Sequence, residues 1–205
     1  MTQNRSHAVM AQRSLFNDDL DYFPTPPWAT RALVEHVIHP CWSNYSCLEP
    51  ACGEGHMTRA LRDYFKQVDA SDIHAYGHGD VADFCAEQRV GYDWIITNPP
   101  FRLAEEFIYC ARKAAVVGVA MLVRTVFLES SGRYNRLFRH APPNIVAIFS
   151  ERVPMIRGRL DRKASSATSY CWMVWQKAIA RESRTVWIPP CRKDLERDSD
   201  YEAAP

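Results

Sequence analysis

The sequence predicts an α/β domain on one mostly parallel sheet with an antiparallel last strand. Three observations carry that prediction. Short apolar runs alternate with stretches of helical period, the signature of strands crossed over by helices. The central runs, "WIIT" and "VVGVAMLV", are unbroken by charge, as strands covered on both faces are. The last two runs, "NIVAIFS" and "SYCWMVWQK", have no helix between them, so they pair antiparallel. A chain of 205 residues, 47% hydrophobic and 24% charged, has material for one good core.

Residues 1–20 lack a clear period and read as an arm, 21–178 as the domain, and 179–205 as a charged C-terminal tail, in which Trp187 and Ile188 dock before the mobile stretch "CRKDLERDSDYEAAP". "FPTPPWATRALVEHVIHP" is a helix with Thr25 as its N-cap, Pro26 at its first position and Pro40 as its stop. "YSCLEP" is a strand that runs into the glycine turn "ACGEG". In "HMTRALRDYFK" the residues Met57, Ala60, Leu61, Tyr64 and Phe65 form one helical stripe. "QVDASD" and "DWIITN" are the next strands, "LAEEFIYCARKA" the next helix, and "GRYNRLFRH" a short one. Trp28, Trp172 and Trp175 read as packing.

The turn "LEPACGEG" sits between a strand and a helix, where open α/β sheets bind ligands. Gly53 and Gly55 allow a tight turn and close backbone approach. The third glycine of the dinucleotide fingerprint is missing, and no Gly-Lys-Ser/Thr follows as in a phosphate loop. Glu49 and Glu54 flank the glycines and would repel a pyrophosphate. They suit a ligand with an ammonium and a sulfonium, which is S-adenosylmethionine. Asp72 lies 17 residues after Gly55, about where such folds place a carboxylate on ribose. In "DVADF", Asp83 accepts from an adenine amine while Phe84 packs on the base.

The strand "DWIITN" ends in Asn98-Pro99-Pro100-Phe101. An aromatic amine is a poor nucleophile because its lone pair is delocalised into the ring. The Asn98 side-chain oxygen and the Pro99 carbonyl can each accept one N–H and localise that pair. Two prolines stiffen the turn, and Phe101 offers a stacking face. Transfer would be a direct in-line displacement aided by alignment, with neither a covalent intermediate nor a metal.

Together, "FPTP", "LEPACGEG", "SDI", "ADF", "NPPF" and "RGRLDRKASSATSYCWMVW" resemble the class I S-adenosylmethionine-dependent DNA adenine-N6 methyltransferases, especially the small, phage-like ones. The resemblance covers Asp21 to Lys177. It implies a Rossmann-like class I methyltransferase fold of seven strands with a reversed last strand. It implies that Thr25 and the segment Glu49, Pro50, Ala51, Gly53 and Gly55 surround the methionine end of the cofactor. Asp72, with Ile73 beside it, would hold the ribose, Asp83 and Phe84 the adenine, and Asn98, Pro99, Pro100 and Phe101 the target. One departure is that many members carry a large target-recognition domain, whereas about 28 residues follow Lys177 here. Sequence selectivity is then modest, built from loops, or supplied by a homodimer or a partner subunit.

The formal net charge is +1, so nucleic-acid binding needs local clustering. "ERVPMIRGRLDRK" supplies Arg152, Arg157, Arg159, Arg162 and Lys163 against Glu151 and Asp161, net +3 in 13 residues. Arg124 and Arg133, around "TVFLESS", add two cations at another strand end. The expected partner is double-stranded DNA with the target adenine flipped out. Seven scattered cysteines without a CxxC pair exclude a zinc framework, and no apolar run reads as a leader or membrane span. A cytoplasmic protein of a bacterial or phage-infected cell, with no membrane partner, is expected.

Other readings stay open. Guanine-N2 or adenine-N6 methylation of RNA, and methylation of a glutamine amide in release factors, use the same type of turn. A methyltransferase-like subunit that only binds nucleic acid is the non-enzymatic reading. Cytosine-C5 chemistry needs Pro-Cys after the central strand, and the pairs Pro40-Cys41 and Pro190-Cys191 lie elsewhere.

Overall fold

The computed structural model describes residues 21–38, 44–87, 89–178 and 182–202; the expected N-terminal arm and the stop at Pro40 lie outside them. Eight strands form one sheet: β1 (Ser46–Glu49), β2 (Gln67–Asp72), β3 (Asp80–Val81), β4 (Trp94–Thr97), β5 (Gly118–Arg124), β6 (Ile145–Phe149), β7 (Tyr170–Gln176) and β8 (Arg184–Ile188). Their spatial order is β3-β2-β1-β4-β5-β7-β6-β8. β7 runs antiparallel to β5 and β6, and every other pair is parallel. The antiparallel pairing of the last two apolar runs is therefore as expected. The sheet order reverses between β1 and β4, and the carboxyl ends of those two strands open the crevice where ligands bind in such sheets.

Among the described residues the α-helices are α1 (Pro27–Leu33), α2 (His56–Leu61), α3 (Phe84–Glu87), α4 (Ala104–Ala114), α5 (Ser131–Arg133) and α6 (Arg192–Leu195). α1 and α5 each continue into a π-helical turn, Val34–Ile38 and Tyr134–Phe138. Side-chain alternation along the central strands divides the interior into two layers. Trp94 and Ile96 on β4, Ala120 and Leu122 on β5, and Trp172 and Val174 on β7 face α1 and α2. Ile95, Val119, Met121, Val123, Cys171, Met173 and Trp175 face α3 and α4. Helices on both faces explain why these strands read as unbroken apolar runs. Trp28, Trp172 and Trp175 are packing residues, as expected, and the Trp172 indole donates to the Ala29 carbonyl at 3.1 Å.

Three expectations are corrected. The sheet has eight strands rather than seven. The eighth comes from the segment read as a C-terminal tail, where β8 pairs along Ile145–Phe149. The strand carries Val186, Trp187 and Ile188, of which Ile188 is buried and Trp187 exposed. The segment is held by core burial of Ile188 and Cys191 and by charge as well. Arg31 in α1 meets Asp200 through two hydrogen bonds, of 2.9 and 2.8 Å, with both side chains about 5% exposed. The same guanidinium donates to the Leu195 carbonyl and to Asp63. Glu151 accepts from the N–H groups of Cys191 and Arg192 at the start of α6.

Thr25 is not the helix cap. α1 begins at Pro27 after Pro26, and no side chain caps it. Two successive prolines remove the N–H groups that a cap would satisfy. The Thr25 hydroxyl is instead buried without a partner.

Candidate active site

A cavity of about 360 Å³ opens at the carboxyl ends of β1, β2 and β4. Ten of the sequence-derived site residues line it: Thr25, Glu49, Pro50, Ala51, Asp72 and Ile73 on one part, and Asp83, Phe84, Asn98 and Pro100 on the other. Thr25 and Asn98, 73 positions apart in the chain, thus line one cavity. Gly53, Gly55, Pro99 and Phe101 are not in its wall.

The glycines have a different job from the one expected. Gly53 and Gly55 do adopt left-handed backbone, with φ of 51° and 79°. Their open faces are covered by protein, however. A Cβ on Gly53 would lie 2.4 Å from the Tyr22 ring, and one on Gly55 would lie 2.3 Å from the His78 ring. Both positions need glycine for the turn and for these rings. The cavity meets the loop through Glu49, Pro50, Ala51 and Cys52 instead.

Asp72 braces the same loop. Its Oδ2 accepts from the Gly53 N–H at 2.9 Å and its Oδ1 from the His74 N–H at 3.0 Å. Each oxygen keeps a second lone pair for a ligand hydroxyl. Asp83 uses Oδ1 to accept from the Cys85 and Ala86 N–H groups at the start of α3. The Phe84 ring is buried against Phe107 at 5.4 Å, forming an apolar wall.

Glu49 is the most perturbed acid in the cavity. Burial pushes its carboxyl up to about 8, opposed by the Thr58 hydroxyl, which donates to it. Burial, then the Arg59 charge, lowers the His56 imidazole, so this ring adds little positive charge to the wall. Burial, then Glu49 and Asp72, pushes the Cys52 thiol up to about 12, which leaves it without nucleophilic character. The cavity is thus lined by acids and lacks an activated thiol.

At the end of β4, the Asn98 amide is oriented by its surroundings. Nδ2 donates to the Phe23 carbonyl at 2.8 Å and lies 3.9 Å from the Met155 sulfur. That assigns Oδ1 as the remaining atom, and it is buried without a hydrogen-bond partner. The two prolines offer no N–H, so Phe101 carries the first donor after Asn98. The Asp21 carboxylate accepts it at 2.7 Å. The Pro100 carbonyl accepts from Leu103. Asp21, Tyr22 and Phe23 thus form a strap across the turn, and the Tyr22 carbonyl also accepts from the Gly158 N–H at 3.0 Å.

The strap was missed as a site element apart from its Thr-Pro end. Its contacts with Asn98 and Phe101 span 75 and 80 positions, so no local pattern shows them. Tyr76, which stacks on Tyr22 at 4.8 Å, was missed for the same reason.

The basic residues are only partly available. Residues 150–169 do sit beside the turn, through Met155 against Asn98 and Gly158 against Tyr22. Arg152 is taken by the Ala167 carbonyl and the Ser169 hydroxyl. Arg159 meets Asp161 at 3.3 Å, and Arg162 meets Asp198 at 2.7 Å. Arg157, Arg159, Arg162 and Lys163 are exposed. Arg133 bonds Glu105 and the Phe127 carbonyl, so it braces α4 against α5 rather than serving a ligand.

No family model matches the sequence, and no curated protein does. Among solved structures, the chain is similar to a protein assigned as a modification subunit of a type I restriction enzyme from Vibrio vulnificus YJ016. The identity is 14% and the TM-score 0.60, over 96% of this chain and 53% of that one. A protein from Listeria monocytogenes assigned as a class I S-adenosylmethionine-dependent methyltransferase gives 12%, 0.54, 89% and 70% in the same order. One from Pyrococcus horikoshii assigned as an RNA methyltransferase gives 15%, 0.57, 87% and 100%. The chain thus spans about half the length of the restriction-enzyme subunit that it matches. Among the described residues, no helix is long and apolar enough to cross a membrane. With the strand order and the reversed β7, these likenesses establish the fold as that of the class I methyltransferases.

Proposed function

We propose that the protein transfers a methyl group from S-adenosylmethionine to the N6 amine of adenine in DNA, in the cytoplasm of a bacterial or phage-infected cell. The observation that carries this reading is the Asn98 amide. Its nitrogen is anchored on Phe23 while its oxygen is buried and partnerless at the same cavity. A buried acceptor without a donor costs about 1–3 kcal/mol, and an N–H supplied by a ligand removes that cost.

The remaining residues fit the cofactor. Glu49 and Asp72 supply negative charge toward its cationic end, the unpartnered Thr25 hydroxyl lies on the same wall, and Asp83 with Phe84 suits an adenine. When bound, the cofactor supplies an electrophilic methyl on a positively charged sulfur. Asn98 Oδ1 and the Pro99 carbonyl hold the two hydrogens of the target amine and direct its lone pair at that methyl. The strap keeps both acceptors in place through Asp21 and Phe23, so little reorganisation accompanies reaction. The proton displaced from the amine would pass from Asn98 Oδ1 and the Pro99 carbonyl to water. A partner subunit or a second copy is the proposed source of further sequence selectivity.

One observation favours a second reading, an amine on RNA. The likeness to the Pyrococcus horikoshii protein covers the whole of that chain. Tritium transfer from labelled cofactor to duplex DNA, single-stranded DNA and RNA, with base analysis, separates the two. Label in N6-methyladenine from DNA is the expected result. Label in RNA alone, in protein alone or nowhere overturns the main reading.

A further inference from the structure

Phe101 was expected to offer an open face to the target base, yet its ring is occupied. The Arg124 guanidinium lies over it with Cζ 3.9 Å from the ring centroid, and Phe23 packs at 5.3 Å, inclined by 42°. Arg124 ends β5, the strand beside β4, and Tyr170 faces it across the sheet in register. Its Cζ is also 5.5 Å from the Phe23 centroid. The residue is half-buried, and its Nε is sealed from solvent without a partner. Its guanidinium meets the neutral Tyr170 side chain but forms no ion pair among the described residues. Neighbouring Arg133 and Arg136 have Glu105, and Arg162 has Asp198. A cation placed among rings without a counter-ion loses hydration, which the cation–π attraction and one hydrogen bond to a neutral phenol offset only in part. An anion would complete it.

We propose that Arg124 is a plug and clamp for the target nucleotide. In the free protein its planar cation covers the Phe101 face. On binding, it turns to a phosphate next to the extruded base, and the base takes its place on the ring. Both planar groups suit the same aromatic surface, and an arginine fork suits a phosphate. The exchange keeps the cavity side of the turn, with Asn98 Oδ1, unchanged. It rests on the nucleic-acid reading given above.

The test is the salt dependence of kcat/KM for methyl transfer to amplified, hence unmethylated, genomic DNA. Arg124→Ala and Arg124→Gln are expected to raise KM roughly tenfold and to flatten the slope of log kcat/KM against log salt by about one, the loss of one phosphate contact. Arg124→Lys, which keeps the charge, is expected to keep the slope. Cofactor affinity by calorimetry should stay within about twofold of wild type in all three, which reports an intact fold at the cavity. A slope unchanged in both Arg124→Ala and Arg124→Gln overturns the proposal, because a mere brace for Phe101 would not move it. So does an equal loss in Arg124→Lys. If the wild-type protein labels no DNA, the functional reading has failed instead.

Discussion

Two buried polar clusters in this protein are built in opposite ways. Around Arg31, a guanidinium, two carboxylates and a carbonyl satisfy one another, and Asp200 is fixed from 169 positions away. Around Asn98, the protein supplies a carbonyl for the amide nitrogen and nothing for the oxygen. Thr25 leaves its hydroxyl without a partner nearby. The first cluster is complete and holds the C-terminal segment on α1. The second is incomplete, and an incomplete buried cluster marks a place for a ligand.

The largest expected effect tests the complete cluster. Asp200→Ala leaves the Arg31 charge buried with one remaining acid, and should lower unfolding free energy by about 3–5 kcal/mol. Denaturant titration measures it, and cofactor affinity of the folded fraction should not change. A loss below about 1 kcal/mol would mean that the pair is no better than a surface one.

Asn98→Ala should do the reverse. It removes the partnerless acceptor together with the single Nδ2 hydrogen bond to Phe23, so stability should fall by no more than about 1.5 kcal/mol, while kcat falls on the order of 10²–10³-fold, as when one preorganised hydrogen-bonding group is lost. Full turnover in this variant, with cofactor binding intact, would remove Asn98 from the mechanism.

Glu49 gives a pH signature. Its folded value of about 8 lies above its ordinary 4.5, so its contribution to stability is full below 4.5 and is lost as pH rises through 8. A cationic ligand favours the carboxylate. Cofactor affinity should therefore rise by at most about tenfold per unit between pH 6 and 8, with proton release visible as buffer-dependent heat in calorimetry. Glu49→Gln should flatten both dependences.

The smallest effect concerns the loop. Arg157→Ala with Arg159→Ala should reduce the salt slope of DNA affinity by no more than about two, one per phosphate contact. Asp161 already neutralises part of this loop. An unchanged slope would assign the loop's charge to folding alone.

Much of the site was legible because the chemistry is local in sequence. The strand–glycine–helix turn places Glu49 and Asp72 by adjacency, and β4 carries Asn98 at its end by the same logic. The strap was not legible. Asp21 and Phe23 matter only because the fold brings them across the turn, and no period or spacing encodes a contact over 80 positions. The role of Gly53 and Gly55 was half legible: positive φ follows from residue type, whereas the rings that fill their open faces do not. The eighth strand, Arg184–Ile188, was hidden because its short apolar run lies inside a charged stretch, and its pairing with β6 is set 39 positions away.

By itself, the sequence determined the alternation of strands and helices, the parallel sheet with its reversed strand, and the two motifs that meet at one cavity. Those features follow from apolar period and turn chemistry, which act over a few residues. Only the tertiary structure decided which polar atoms end with partners and which without. It joined Arg31 to Asp200, turned the Asn98 oxygen loose by engaging its nitrogen, and laid Arg124 over Phe101. Hydrogen bonds and ion pairs are short-ranged, so their partners are fixed by packing in space and not by order along the chain.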